Sequence, residues 1–292
     1  MNLAGFFIRG DAHVRIAFQG EPGAYSEAAA RQFSPDGDVM PCRSFEDVFG
    51  AVAEGRASHG VLPMENSIGG SIHRNYDLLV QHELPIVGEI ELPVDHCLLA
   101  TPGTRLSDLT AVYSHPQALA QCEEYLRRMT NVEIIAVYDT AGGAKMVAEG
   151  ARTDAGAIAS RRAGELFGLE VLDEAVQDYA ANITRFVIVA RSGNGAEDAN
   201  KTSLVFALKS TPGALFRALS CFALRDINLT KLESRPIRGR PWEYMFYADV
   251  DIARHSLAYG RAAAQLGEFT EWVRTLGSYR RYEGSTVGTV EP

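Results

Sequence analysis

Short apolar runs rich in β-branched residues alternate with stretches of helical period through the first two-thirds of the chain. The runs predict strands at Val14–Gln19, Gly60–Met64, Ile86–Ile90, Cys97–Ala100, Ala111–Tyr113, Ile134–Tyr138, Gly156–Ala159 and Phe186–Ala190. Between them the pattern predicts helices at Tyr25–Phe33, Phe45–Glu54, Ile72–Gln81, Pro116–Met129, Ala141–Glu149 and Arg161–Phe167. Ser44, Ser71 and Thr140 are candidate N-caps and Pro116 suits a first helical turn. Such alternation predicts an α/β architecture with mainly parallel strands. Residues Ser192–Asn200 lack apolar periodicity and read as a linker. Beyond them come strand Ser203–Leu208, helix Ala214–Leu224, strands Asn228–Glu233 and Tyr244–Val250, helix Ala258–Leu276 and a final strand near Tyr279–Tyr282. That βαββαβ order, with Pro236–Pro241 as the turn between the middle strands, suits a small ferredoxin-like domain.

One tract breaks the simple pattern. Asn182-Ile183-Thr184-Arg185-Phe186 feeds polar and aromatic side chains straight into a buried strand. With a period of two, Asn182, Thr184 and Phe186 share one face, and Ile183 and Arg185 the other. Polar groups at the mouth of a core strand need partners, which a functional site supplies and an incidental strand entry does not require.

The length of 292 residues and the 46% hydrophobic content allow a sizeable core and more than one domain. A net charge of −9 with no basic cluster longer than a pair argues against nucleic acid as a partner. An anionic ligand must therefore be held by local donors. Cys42, Cys97, Cys122 and Cys221 show no metal-ligand or disulfide spacing, so reduced thiols and a cytoplasmic location are expected. The run Leu3–Ile8 makes no convincing signal peptide and no stretch has the length of a membrane span. The histidines form no ligand pattern, so no metal is expected.

Four strand-to-helix loops carry hydrogen-bonding residues: Gln19–Ser26, Pro63–Gly70, Ser114–Gln117 with Gln121 one turn on, and Asp139–Gly143. Each alone reads more readily as a capped helix start. Together they matter, because open α/β folds bind ligands at the carboxyl ends of their strands, where all four loops should lie.

These loops, Ile16-Ala17-Phe18-Gln19-Gly20, Pro63-Met64-Glu65-Asn66-Ser67, Ser114-His115-Pro116-Gln117 and Thr184-Arg185-Phe186, taken in order, resemble the prephenate dehydratase family. The likeness covers nearly the whole chain. It implies a catalytic region at 14–191, similar to a type 2 periplasmic binding protein, with the site between two subdomains and crossovers near 88–92 and 171–178. It also implies a linker at 192–200 and an ACT regulatory domain at 201–283. The implied reaction turns prephenate into phenylpyruvate, water and carbon dioxide without a cofactor, on the route to phenylalanine. Arogenate dehydratase is the enzymatic alternative, and a non-catalytic amino acid sensor the alternative of another class. No preceding chorismate mutase domain is expected.

By the same resemblance Thr184, Asn66, Ser114 and Gln121 are the catalytic candidates. Pro22, Gly23, Tyr25, Glu65, Ser67, His115, Thr140, Arg185 and Phe186 are the substrate-binding candidates, with an ion pair as the competing role of Arg185. Pro212-Gly213-Ala214-Leu215 and Glu233-Ser234-Arg235 match motifs that imply a site for an L-phenylalanine effector, with Phe216 replacing a usual valine. A homodimer or homotetramer joined through ACT domains is the expected assembly.

Overall fold

The computed structural model describes residues 14–150, 152–193 and 196–283. Strand β1 (Arg15–Gln19) leads into α1 (Tyr25–Phe33), followed by β2 (Asp38–Cys42), α2 (Phe45–Ala53), β3 (His59–Asn66), the short β4 (Gly70–Ser71) and α3 (His73–His82). Next come β5 (Ile86–Pro93), β6 (Cys97–Ala100), β7 (Ala111–Ser114), α4 (Pro116–Gln121), α5 (Glu123–Arg127) and β8 (Glu133–Ala136). Then α6 (Thr140–Gly150), β9 (Ala155–Ala159), α7 (Arg161–Phe167) and β10 (Glu170–Asp173) precede β11 (Ile183–Ala190). The chain ends with β12 (Lys201–Leu208), α8 (Ala214–Ala223), β13 (Leu229–Pro236), β14 (Tyr244–Val250), α9 (Leu257–Phe269) and β15 (Thr270–Tyr279).

Two units result. The first holds the described residues up to Leu78 together with Ile90–Val187, and the second holds Leu79–Glu89 with the described residues from Ile188 onward. Strands β5 and β11 each run from one unit into the other.

The first unit contains two sheets. In one, β1 lies parallel between β2 and β3, with β11 on the far side of β3. The other has the order β10-β6-β9-β7-β8. Its β7 is parallel to β8 and β9, whereas β6 is antiparallel to β9 and β10. The expectation of mainly parallel strands is therefore too simple here. Strand β6 brings the chain into this sheet and runs against β7, β8 and β9, whereas β10, antiparallel to β6, takes the chain out in their direction. The crossings fall at residues 94–96 and 174–182, slightly later than 88–92 and 171–178, because β5 continues as a strand to Pro93.

Both faces of the central strands β6, β7 and β9 of the second sheet are buried, which is why they read as apolar runs. Leu99 and Ala157 pack on one face with Ala144 and Ala163, while Leu98 and Ile158 pack on the other with Ala118 and Cys122. Besides the two-residue β4, the strands the pattern misses are β2 and β10, both sheet edges. An edge tolerates the Pro41 of β2, since one side of the strand needs no ladder donor.

Several local expectations are corrected. The helix expected over Pro116–Met129 breaks at Cys122, whose φ of −118° and ψ of 25° leave the helical region. Asp139, not Thr140, caps α6, accepting from Gly142 N at 3.2 Å. Ser71 belongs to β4 and α3 starts at His73. Ser44 does cap α2, in a reciprocal box with Asp47.

In the second unit the sheet order β13-β14-β12-β15 is antiparallel throughout. Helices α8 and α9 bury Ala218, Phe222 and Leu266 against Leu204, Phe206 and Val250 of the sheet. This is a ferredoxin-like βαββαβ fold. The helix expected to reach Leu276 stops at Phe269, and Thr270–Tyr279 instead pairs along the whole of β12, from Leu208↔Thr270 to Lys201↔Tyr279. Thr270, Trp272, Val273 and Thr275 explain the switch, since β-branched and aromatic side chains favour the pleated surface.

Candidate active site

A cavity of about 520 Å³ lies in the first unit, lined from both of its sheets. Asn66 at the end of β3 and Thr184 and Phe186 on β11 approach it from the first sheet. His115, Gln117 and Gln121 at α4, with Tyr138, Asp139 and Thr140 at the start of α6, approach from the second. Val94 and His96 come from the first crossing. All four loops singled out in the sequence contribute to this one cavity.

A closed ring of amides forms its buried wall. Asn66 Oδ1 accepts from two backbone groups, Ile68 N at 3.1 Å and Gly69 N at 2.7 Å. Backbone N–H groups can only donate, so this oxygen is fixed, and every other amide then follows. Gln121 must present Nε2 to Asn66 Oδ1, at 2.9 Å. Its Oε1 then accepts from Asn182 Nδ2 at 3.0 Å, and Asn182 Oδ1 accepts from Asn66 Nδ2 at 2.6 Å. Three amides thus orient one another without ambiguity.

Two consequences reach the cavity. Asn66 Nδ2 lies 3.0 Å from Thr184 Oγ1, and an amide nitrogen cannot accept, so the threonine oxygen is the acceptor. The Thr184 hydroxyl proton is thereby left free to be donated into the cavity that the residue lines. Gln121 Oε1 is also 2.9 Å from His96 Nε2, so this nitrogen carries a proton and Nδ1 faces Tyr25 Oη at 3.1 Å. Burial lowers the pKa of His96 below its ordinary value, which keeps the ring neutral.

Gly69 matters for packing rather than freedom. A Cβ there would collide with the Gln117 side chain, which lines the same cavity.

The mouth is held by a second set of contacts. Glu21 N donates to Asp139 Oδ2 at 3.0 Å, and the Glu21 carboxylate accepts from Tyr138 Oη at 2.8 Å and Lys145 Nζ at 3.1 Å. The Tyr138 hydrogen bond is the main reason that the Glu21 carboxyl lies below its usual range. Burial raises Asp139, opposed by backbone N–H groups of Glu21, Gly142 and Thr140. Burial also lowers His115, whose Nδ1 accepts from Gln117 N at 3.2 Å.

Of the sequence-derived candidates, Asn66, Gln121, Thr184, Tyr25, His115, Thr140 and Phe186 line the cavity together. Ser114 does not line it; its hydroxyl donates to Ile158 O at 2.6 Å inside the second sheet. Ser67 donates to Ala181 O at 2.8 Å and accepts from Ile183 N at 2.9 Å, bracing β11 from the side. Pro22 and Gly23 belong to a turn docked on α7, where Ser160 Oγ donates to Gly23 O at 2.8 Å and a Gly23 Cβ would lie 2.9 Å from Ala163 Cα. Arg185 faces away from Thr184 and forms an ion pair with Glu65 at 3.9 Å, the alternative the period-two reading left open. His96, Asp139, Tyr138 and Arg43 line the cavity without having been chosen as site residues. His96 had one local signal, a polar Asp95-His96 pair inserted between two strands.

In the second unit a cavity of about 530 Å³ is lined by Pro212, Gly213, Ala214, Leu215 and Phe216 with Trp242, Tyr244 and Phe246. Gly213 caps α8 with a φ of +73°, a conformation that glycine adopts readily. Glu233, Ser234 and Arg235 lie on β13 opposite Tyr247, Phe246 and Met245 and are not among that cavity's lining residues.

The fold and the site define a two-sheet α/β cleft whose buried wall is made of uncharged amides and a hydroxyl. The sequence profile of the prephenate dehydratase family matches residues 16–194, and the chain belongs to that family. Among curated relatives, it is 50% identical to arogenate dehydratase 1 of Petunia hybrida over 283 residues, covering 91% of this chain and 66% of that protein. It is 49% identical to arogenate dehydratase/prephenate dehydratase 6, chloroplastic, of Arabidopsis thaliana over 285 residues, covering 92% of this chain and 69% of that protein. Two solved structures superpose at a TM-score of 0.84. One is GqqA, described as a novel type of quorum quenching acylase, 38% identical and covering 92% of this chain and 98% of that one. The other is the prephenate dehydratase of Arthrobacter aurescens in complex with L-Phe, 32% identical and covering 92% and 90%.

The comparisons correct one expectation. A relative 49% identical is chloroplastic, so the cytoplasmic assignment falls. Its basis was weak in physical terms, since four buried free cysteines suit any reducing compartment.

Proposed function

We propose that this chain is a dehydratase acting on prephenate, yielding phenylpyruvate, water and carbon dioxide. The observation that carries the reading is the Thr184 hydroxyl, whose proton the amide ring leaves uncommitted and facing the cavity. In this reaction the ring C–O bond breaks as the C–C bond to the ring carboxylate supplies electrons that aromatise the ring. The departing hydroxyl gathers negative charge and takes up one proton. Thr184 meets that charge with a preorganised hydrogen bond, a role that suits a weak acid better than full proton transfer. Phe186, Ile72 and Val94 give the cavity an apolar portion in which a carboxylate loses solvation before leaving.

Arogenate is the alternative substrate, favoured by the names of the plant relatives. Parallel turnover assays with prephenate and arogenate decide between them. Thr184→Ala should lower kcat about 10²- to 10³-fold, on the scale of losing one preorganised donor. Near-normal turnover in that variant would remove Thr184 from the mechanism. An acyl-transfer role draws no support from the site, because the partner of Thr184 Oγ1 is an amide donor and not a base. A sensor without catalysis gives no reason for a hydroxyl proton kept free in this way.

For the second unit, L-phenylalanine is the proposed effector, by analogy with the complex of the Arthrobacter aurescens protein. The cavity beside Gly213 offers an aromatic lining and a helix start that suits a carboxylate. Association through this ACT-like unit, as a dimer or tetramer, belongs to the same proposal.

A further inference from the structure

The substrate class proposed above carries two carboxylates, and only one of them leaves. The two need opposite environments. A cation beside the departing carboxylate would stabilise it in the ground state and oppose loss of carbon dioxide, whereas the surviving side-chain carboxylate must be held for the ring to be positioned. The charged groups around the cavity divide along this line.

The lining includes four acid or base types besides tyrosine: Arg43, Glu46, Asp139 and two histidines, His96 and His115. Both histidines are pushed toward neutrality by burial. Glu46 is paired with Arg74, and Asp139 is occupied by backbone N–H groups. Arg43 thus carries the one full positive charge among the described lining residues. It forms no ion pair or hydrogen bond among them. Its charge helps to hold the Glu21 carboxyl below its usual range, but Glu21 already holds Lys145 at 3.1 Å and Tyr138 at 2.8 Å.

The backbone that presents Arg43 is fixed on both sides. Cys42 O accepts from Gly20 N at 3.0 Å, and Ser44 begins the capping box of α2. Arg43 follows β2, while Thr184 is on β11, and β1 and β3 lie between them. Three interstrand steps of about 4.8 Å separate the two strands by roughly 14 Å, a span that an arginine stem and a substrate can share. Among the described lining residues no cation stands at the Thr184 end, where Asn66, Pro63 and Phe186 supply an uncharged wall.

We infer that Arg43 anchors the surviving side-chain carboxylate of the substrate, orienting the ring so that its hydroxyl meets Thr184 and its departing carboxylate lies in the uncharged end. The inference rests on the dehydratase reading, and phenylpyruvate separates the two, because this product keeps only the side-chain carboxylate.

The test measures phenylpyruvate binding by calorimetry, and steady-state kinetics with prephenate and arogenate, for wild type, Arg43→Gln, Arg43→Lys and Thr184→Ala. Arg43→Gln should weaken phenylpyruvate binding at least about tenfold and raise KM for either accepted substrate similarly, with kcat changed far less. Arg43→Lys should recover part of the loss, and Thr184→Ala should still bind phenylpyruvate. Phenylpyruvate affinity in Arg43→Gln within twofold of wild type would overturn the anchor even with turnover intact. Arg43-dependent binding without turnover of either substrate would uphold the anchor and overturn the dehydratase reading.

Discussion

Two buried polar clusters in this chain are built on opposite principles. In the first unit, Asn66, Gln121, Asn182, His96 and Thr184 are all buried, and none needs a charge. In the second unit, Glu89, Lys201, Asp249, Ser203 and Tyr279 are equally buried, but there one cation, Lys201, is bound to two carboxylates. Lys201 Nζ lies 2.7 Å from Glu89 Oε2 and 3.7 Å from Asp249 Oδ2. Ser203 Oγ donates to Asp249 Oδ1 at 2.5 Å, so it accepts from Tyr279 Oη at 2.7 Å. Tyr282 N donates to Glu89 Oε1 at 3.1 Å.

The difference lies in what each cluster leaves over. The charged cluster closes on itself and no member lines a cavity described above. The amide ring closes too, yet it leaves one hydroxyl proton aimed at open space. Neutral amides suit that task, because they orient a donor without introducing a cation that would hold a departing carboxylate in place. Charge serves the other unit, where three strands, β5, β12 and β14, must be tied at one point.

Breaking the charged cluster should give the largest effect on stability. Lys201→Met leaves Glu89 buried without its cation, a loss of about 3–5 kcal/mol. Urea denaturation of the isolated variant measures it, and a loss under 1 kcal/mol would show that the cluster is solvated. Adding Glu89→Gln to Lys201→Met should restore much of the stability, since the uncompensated charge is then gone.

Legibility in the sequence follows the same division. The face of β11 was readable, because a period of two puts Asn182 and Thr184 on one side, and both do reach Asn66. The four loops were readable because they pack small and polar residues where strands end. The fully buried role of Ser114 was not, since a serine at a strand end gives no sign of whether its hydroxyl turns to a cavity or to Ile158 O. Nor was the partner of Lys201, for Glu89 lies 112 residues away. Long-range pairing leaves no local periodicity. The edge strands β2 and β10 were missed because their short, partly exposed sequences show neither an apolar run nor a clean alternation.

The neutral ring offers the intermediate effect. Asn182→Ala removes one partner each from Gln121 Oε1 and Asn66 Nδ2, which should cost about 1–3 kcal/mol of stability. Asn66 Oδ1 keeps both backbone donors, so the orientation at Thr184 survives in part. The fall in kcat should therefore be smaller than for Thr184→Ala. An equal or larger fall would mean that the ring acts as one indivisible unit, and that fixing Asn66 by backbone donors is not enough.

The smallest effect concerns pH and tests whether the ring depends on a neutral His96. Burial lowers the pKa of His59, His96 and His115 in the folded chain, so each binds fewer protons folded than unfolded just below the ordinary histidine value of about 6.5. Stability contributed by a neutral buried histidine is thus complete above that value and lost as pH falls from there through the lowered folded pKa. His96→Gln removes one such site while keeping an amide N–H near the position of Nε2 for Gln121 Oε1. Its denaturation midpoint should fall less steeply than the wild type's between about pH 7 and pH 5, by at most about 1.4 kcal/mol per pH unit. An unchanged slope would mean that His96 titrates in the folded state as it does unfolded, and the reading of Nδ1 as unprotonated would fail. Protonation would add its hydrogen at Nδ1, toward Tyr25, and leave the Nε2 bond to Gln121 intact. The orientation of the amides should accordingly outlast the loss of stability, so kcat of the protein that remains folded should follow pH less than its denaturation midpoint does.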